Sequence, residues 1–161
     1  CGLSPVNLNL RVFGRTVVLE KIEDSLVNEL SAMPTIIHAI SGAYILPPIQ
    51  YPDGNKYLKI GIGTDADATF EKVEDLKAWF KGKGSTENRS EFTEFIKQLI
   101  PSLNHCNDWH SDTCVVTQTK SGLPIIEYVD EEKIAVAVGG NGKGAKGADE
   151  WGKIAANLIN P

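Results

Sequence analysis

Three stretches hold side chains whose type and spacing could do chemistry. The longest is Gly139-Gly140-Asn141-Gly142-Lys143-Gly144-Ala145-Lys146-Gly147, nine residues with five glycines and two lysines. Glycine lets a backbone take positive φ and come close to a ligand, and the first turn of a following helix offers unpaired N–H groups at the positive end of its dipole. Such a loop suits an anion or the electron-rich edge of a ring. Gly142 to Gly147 matches the string GxGxxG, but a dinucleotide fingerprint needs a further strand and an acidic residue about 20 positions on, and the sequence reaches Pro161 first. A Walker loop fails as well, because Ala137 stands where its first glycine should be. The stretch is therefore either one wall of a site completed elsewhere or a glycine-rich surface turn kept soluble by its lysines.

The second stretch is Tyr57-Leu58-Lys59-Ile60-Gly61. Tyr57 and Lys59 share one face of a strand and Leu58 and Ile60 the other, so either face could be the buried one. A Lys59 that faces a pocket would put a compact positive charge where a developing anion needs it. The third is Cys114 within Thr113 to Thr119. A free cysteine in a strand reads first as a small buried hydrophobe, and a reactive thiol needs a lowered pKa or a bound electrophile that the strand alone does not supply. His105, Cys106, His110 and Cys114 fall at spacings that match no metal pattern, so no metal site is assigned, and Asp108 and Asp112 read as solvated loop residues. No Ser-His-Asp or GxSxG arrangement is present, which counts against an acyl-transfer hydrolase.

The elements that must position these groups follow from periodicity and turn chemistry. Ile134 to Val138 predicts a buried strand before the glycine loop. Asp149, or Ala148 beside it, is expected to open a helix with Trp151, Ile154, Ala155, Leu158 and Ile159 on one face. Pro52-Asp53-Gly54-Asn55 predicts a hairpin between Tyr44 to Tyr51 and Tyr57 to Gly61, with Pro47-Pro48 at an edge or bulge. Extended structure is expected over Val6 to Ile22, Thr35 to Ile40, Thr113 to Thr119 and Gly122 to Tyr128. Helices are expected from Asp24 or Ser25 to Ala32, over Val73 to Phe80, and from Ser85 or Thr86 until Pro101 stops the pattern. Roughly seven strands and four helices with hairpins dominating predict an α+β fold, a mixed and mainly antiparallel sheet with helices on one face.

Composition narrows the class of function. The 161 residues with 42% hydrophobic content can bury one real core. A net charge of −5 and a pI near 5.2 argue against nucleic acid or an anionic membrane as the main partner. No apolar run approaches the ~20 residues that span a bilayer. Three cysteines, an odd number, fit reduced thiols and a cytoplasmic setting. The opening CGLSPVNLNL has neither the basic start nor the long apolar run of a signal peptide, and lacks an initiating methionine, as a mature chain or a fragment cut from a longer protein would.

At Thr113 to Ile126 and at Val136 to Lys146 the sequence resembles the C-terminal part of the D-amino-acid oxidase superfamily of FAD-dependent amine oxidoreductases, within it the sarcosine oxidase-like branch. Cys114-Val115-Val116-Thr117, with Thr119 and Leu123-Pro124-Ile125-Ile126, is similar to that branch's cysteine-bearing strand. The resemblance implies a covalent flavin link through Cys114, although many superfamily members bind FAD without one. Gly139, Gly140, Asn141, Gly142, Lys143 and Gly144 resemble the family's flavin loop, and Lys146 the lysine that helps hold a substrate carboxylate. Tyr57 to Gly61 is similar to the strand whose lysine, here Lys59, promotes reaction of reduced flavin with oxygen. Two departures bear on the substrate: Lys143 and Gly63 stand where the branch often has histidines. The family's N-terminal dinucleotide fingerprint is absent, so the resemblance implies a C-terminal portion. Residues 1–132 would be the α+β substrate domain, and 133–161 the strand, loop and helix that complete the FAD domain. The implied partners are a small amine or amino acid and an N-terminal FAD-binding portion, from the same protein or another chain. A non-catalytic binding or scaffold module that packs on a partner is the other reading.

Overall fold

The structure is a computed structural model that describes residues 6–63, 67–130 and 133–160. The chain divides into two compact units, one formed by 14–68 and 74–114, the other by 1–13, 69–73 and 115–161. In order along the described residues come β1 (Arg11–Lys21), α1 (Asp24–Leu30), β2 (Ile36–Ile37), β3 (Tyr44–Gln50), β4 (Lys56–Gly61), β5 (Ala68–Thr69), α2 (Val73–Phe80), α3 (Thr86–Leu99), a 3-10 turn (Pro101–His105), β6 (Trp109–Gln118), β7 (Ile125–Asp130), β8 (Ile134–Val138) and α4 (Gly144–Ile159). The first six strands form one sheet in the order β2-β3-β4-β1-β5 with β6 also on β1, and β7 and β8 form a separate pair. Every strand pair whose register is known, β1 with β4, β2 with β3, β3 with β4 and β7 with β8, is antiparallel. Helices mixed with a mainly antiparallel sheet agree with the coarse part of the α+β expectation.

In the unit built on residues 14–68 and 74–114, the β3–β4 hairpin turns where Pro-Asp-Gly-Asn predicts. Gly54 takes φ +84°, and the Asn55 N–H donates to Asp53 Oδ1 at 3.0 Å. The register of β3 on β4 shifts between Leu46 and Ile49, so Pro47 and Pro48 occupy a bulge. Thr16, Val18, Glu20 and Ile22 of β1 and its extension share a face with Leu58 and Ile60 of β4, fixed by the pairing of Val18 with Ile60. Phe92 and Ile96 of α3, Leu26 and Leu30 of α1, and Leu103 complete the core on that face. Ser85 accepts the Asn88 N–H at 3.1 Å and caps α3. Truncating Leu58 or Phe92, neither of which reaches solvent, would cost about 2–5 kcal/mol.

Thr35 to Ile40 departs from its expectation. Only Ile36 and Ile37 pair, because His38 to Gly42 closes a turn in which His38 Nδ1 meets Ser41 Oγ at 2.8 Å and Gly42 takes φ +69°. Side-chain turn chemistry there outweighs β-branched composition. The first strand begins at Arg11 rather than Val6, after a turn in which Asn9, in the left-handed region, donates its N–H to Asn7 Oδ1 at 2.9 Å.

Within the other unit, Ile125 pairs with Val138 and Glu127 with Val136, and α4 packs along this pair. Tyr128 donates its hydroxyl hydrogen to Leu158 O at 3.1 Å. The strand predicted as buried is covered on one side only: Ile134, Val136 and Val138 are half-buried, Ala135 and Ala137 exposed. Helix α4 starts at Gly144, not at Ala148 or Asp149. Trp151 folds back over Gly147, where an added Cβ would lie 2.5 Å from the indole, so a glycine pair unfavourable for an isolated helix is held by its own packing. Trp151, Ala155 and Leu158 are half-buried as the periodicity predicts, but Ile154 and Ile159 are exposed.

One buried group strains the core. Glu20 is 2% exposed, accepts the Asp108 N–H at 3.1 Å through Oε1, and leaves Oε2 unpartnered among the described residues. Burial pushes its carboxyl above the ordinary value, the Asp108 N–H and Lys97 oppose the rise, and the Asp108 charge adds to it. A carboxyl raised on folding favours the native state below its unfolded value, and that contribution is lost as pH climbs through the folded value. Glu20→Gln keeps the acceptor and removes the charge, so the variant should be more stable than the parent by about 1 kcal/mol at pH near 8, the gap closing below about pH 4. Thermal unfolding of both proteins across that range checks this, and parallel pH profiles would contradict it.

Candidate functional site

The glycine loop and the Lys59 strand face lie in different units and are built differently. The loop runs Gly139 to Lys143, shorter than the glycine-rich string suggests because Gly144 to Gly147 are already helical. Gly139, Asn141 and Gly142 all have positive φ, at +77°, +51° and +70°. Asn141 pins the turn: its N–H donates to Thr117 O at 2.9 Å, its Oδ1 accepts the Thr119 N–H at 2.9 Å, and its Nδ2 donates to Gly139 O. A short polar side chain that bonds locally is what tolerates a left-handed backbone. No side chain caps α4, and the Lys146 N–H turns back to Lys143 O at 3.0 Å. With the Lys146 N–H used in this way, the donors of the first turn left without a partner among the described residues are those of Gly144 and Ala145.

Beneath the loop a cleft of about 440 Å³ is lined by Leu10, Ile126, Val138, Gly140, Trp151 and Ala155 among others, nearly all apolar. Lys143 and Lys146 are exposed. The loop thus combines an apolar floor, close backbone approach and unpaired donors, which suits a flat electron-rich ring.

The β4 face resolves the ambiguity at Lys59. Leu58, Ile60 and Ile62 are buried in the core, so Lys59, Gly61 and Gly63 stand on the opposite face. Lys59 is half-buried and sits across from Leu19 on one side and Leu46 on the other. Two residues along, Tyr44 lays its phenol across Gly61, where an added Cβ would come 2.5 Å from Cζ. Two residues further, the Arg15 guanidinium covers Gly63, and Arg15 Nε donates to Asp67 Oδ2 at 2.9 Å. Burial raises the Tyr44 phenol, Cys114 adds to the shift and Arg15 opposes it. Cys114 is half-buried, and its carbonyl accepts the Trp79 indole N–H at 3.1 Å.

The structure therefore brings Lys59 and Cys114 into one unit and Gly139, Gly140, Asn141, Gly142, Lys143, Gly144 and Lys146 into the other. Sequence reasoning missed Tyr44 and Arg15. The available signal was Gly61 and Gly63 alternating with buried isoleucines, since glycine inside a strand marks close approach by another group. The histidines and cysteines of residues 105–114 do not gather: Cys106 faces Glu20, while His110 packs edge-on against Tyr57 at 5.3 Å. Among the described residues no cluster of His, Cys, Asp and Glu could hold a metal, and no helix is long and apolar enough to cross a membrane.

Gly139→Ala should destabilise the protein by about 1–3 kcal/mol, because alanine is strained at φ +77° and its Cβ would collide with Thr119 Cγ2. Gly144→Ala, with open space at its Cβ position and helical backbone, should be neutral or stabilising. Denaturant unfolding of the two variants checks the contrast.

No protein-family model matches the chain, and no curated protein sequence matches it. Solved structures do. Fructosyl amine:oxygen oxidoreductase (amadoriase I) from Aspergillus fumigatus aligns over 95% of this chain with a TM-score of 0.72 at 17% identity. Fructosyl peptide oxidase from E. terrenum aligns over 96% with a TM-score of 0.72 at 14% identity, and glycine oxidase from Geobacillus kaustophilus over 96% with 0.65 at 23%. The chain spans 35%, 38% and 36% of those three proteins. Across almost its whole length, this chain has the fold of about a third of each of these oxidases.

Proposed function

We propose that the chain is the C-terminal part of an FAD-dependent oxidoreductase that oxidises an amine or amino acid, hydride passing from a substrate C–H to the flavin. The observation that carries this reading is the shared fold, 94–96% of the chain matched by oxidases whose named substrates are fructosyl amines, fructosyl peptides and glycine. The residues present fit the cofactor. A glycine loop with positive φ at Gly139, Asn141 and Gly142, the open N–H groups of Gly144 and Ala145 and an apolar cleft below match the needs of a flavin edge. When bound, FAD supplies the hydride acceptor.

In this reading residues 1–132 contribute the substrate domain and 133–161 complete the FAD domain, whose remainder comes from an N-terminal portion of the same protein or from a partner chain. Gly139, Gly140, Asn141, Gly142, Lys143 and Gly144 offer backbone donors where negative charge accumulates on reduction. Lys59 places its ammonium beside the reacting edge, held on a rigid strand between Leu19 and Leu46. Lys146, exposed on the first turn of α4, pairs with a substrate carboxylate. Cys114, half-buried on β6, is the anchor for a covalent flavin link.

In the full-length flavoprotein, Lys59→Met should slow reoxidation of reduced flavin about 100-fold while leaving reduction by the amine much less affected. Stopped-flow absorbance separates the two half-reactions, and equal slowing of both would remove the oxygen role. Acid precipitation tests the anchor: flavin should stay with the parent protein in the pellet and pass to the supernatant in Cys114→Ala. Flavin in both supernatants would leave the oxidase and remove the covalent link.

A further inference from the structure

The unit built on residues 14–68 and 74–114 has a cleft of its own, about 500 Å³ in volume, where β1 runs on toward α1 and the 3-10 turn leads into β6. Glu20, Glu23, Asp108 and Cys106 line it beside Ile22 and Leu26. The Glu20 side chain shares the core face with Leu58 and Ile60, so it serves this cleft from the side of β1 away from Lys59. We propose that the cleft binds a small organic cation, a primary alkylammonium that donates to the Glu20 carboxylate. The proposal does not rest on the oxidase reading.

The buried carboxyl carries it. Glu20 is 2% exposed, and its Oε1 accepts the Asp108 N–H at 3.1 Å, while no N–H or O–H reaches Oε2 among the described residues. The Cys106 thiol beside it is a weak donor. A buried carboxylate with an open oxygen is costly, and a charged donor offsets that cost better than a neutral one. Cys106 and Asp108, the neighbours of this carboxyl, both line the cleft, so a guest seated there meets Glu20. The terminal torsion of a glutamate is broad, which lets the carboxyl turn toward the guest while the Asp108 N–H keeps an acceptor.

The charges around the cleft select a cation. Its carboxylates are Glu20, Glu23 and Asp108, against one histidine, His105. The nearby ammonium groups are turned elsewhere. Lys21 lies on the opposite face of β1, across from Tyr57, where its charge acts on Asp53, and the Lys97 Nζ stands 6.0 Å from the centroid of the Trp109 ring. Neither forms an ion pair with Glu20 among the described residues. A bare metal ion is the wrong guest, since among those residues no three His, Cys, Asp or Glu side chains gather to hold one. Ile22 and Leu26, both buried, give an alkyl group apolar surface.

The simpler account is that a proton or a water molecule satisfies Glu20 and the cleft takes no guest. Calorimetric titration of the full-length protein at about pH 8 separates the two. The probes are tert-butylammonium, whose amine carbon has no hydrogen for a flavin to take, and tert-butanol, neutral and of the same shape, both at matched sodium chloride. The parent should bind the ammonium and not the alcohol. Glu20→Gln, which should be at least as stable as the parent at this pH, should weaken ammonium binding about 10- to 100-fold. Lys97→Met, which removes a competing charge, should bind the ammonium at least as tightly as the parent. The ammonium should also raise the Tm of the parent and not that of Glu20→Gln. No binding to the parent, equal affinity in the parent and Glu20→Gln, or equal uptake of alcohol and ammonium would overturn the proposal. Parent protein that takes up no FAD yet binds the ammonium through Glu20 would remove the oxidase reading and keep this one.

Discussion

The antiparallel register of β4 against β1 and β3 is the constraint on which most of the candidate site depends. Because side chains alternate at period two, pairing Val18 with Ile60 commits Leu58, Ile60 and Ile62 to the helix-covered core, and the same pairing sends Lys59, Gly61 and Gly63 to the other side. A slip of one residue would bury an ammonium in a core that already holds Glu20. The apolar pattern thus fixes the position of the polar groups, and the two glycines clear the room that Tyr44 and Arg15 occupy. Stability and chemistry use opposite faces of one strand.

The loop in the other unit is governed by a different economy. Three departures into positive φ within four residues, at Gly139, Asn141 and Gly142, would leave backbone groups unpaired if nothing held them. Asn141 holds them, reaching Thr117, Thr119 and Gly139 with one residue's donors and acceptors. The helix that follows begins without a side-chain cap, its Lys146 N–H bonding back to Lys143 O and the Gly144 and Ala145 N–H groups left open among the described residues. Strain in the loop and open donors at the helix start are linked: a loop that satisfied its own helix would have nothing to offer a ligand.

Much of this architecture is legible in the residues. The β3–β4 hairpin, the Ser85 cap, the helices over 73–80 and 86–99, and the strand of 134–138 follow from turn chemistry and periodicity, since each is decided within about ten residues of chain. The errors cluster where a longer-range or side-chain effect took over. Thr35 to Ile40 has strand composition, but His38 and Ser41 offered the backbone a competing turn. Helix α4 starts four residues early because Trp151 covers Gly147, a contact that propensity does not register.

By itself, the sequence determined the element types, the acidic balance that disfavours nucleic acid, and the presence of a glycine loop between a strand and a helix. These depend on local backbone preference and on composition. Which face of β4 is buried was open, because Tyr57 and Lys59 on one side and Leu58 and Ile60 on the other are both plausible core faces in isolation. Only the pairing with β1, and the seating of α1 and α3 on one side, decided it. The same holds for Arg15, which is 48 positions before Gly63 in the sequence and becomes its neighbour through strands paired side by side. Residues that approach across a sheet leave no spacing signal along the chain, so only the tertiary structure could put a guanidinium where glycine leaves a gap.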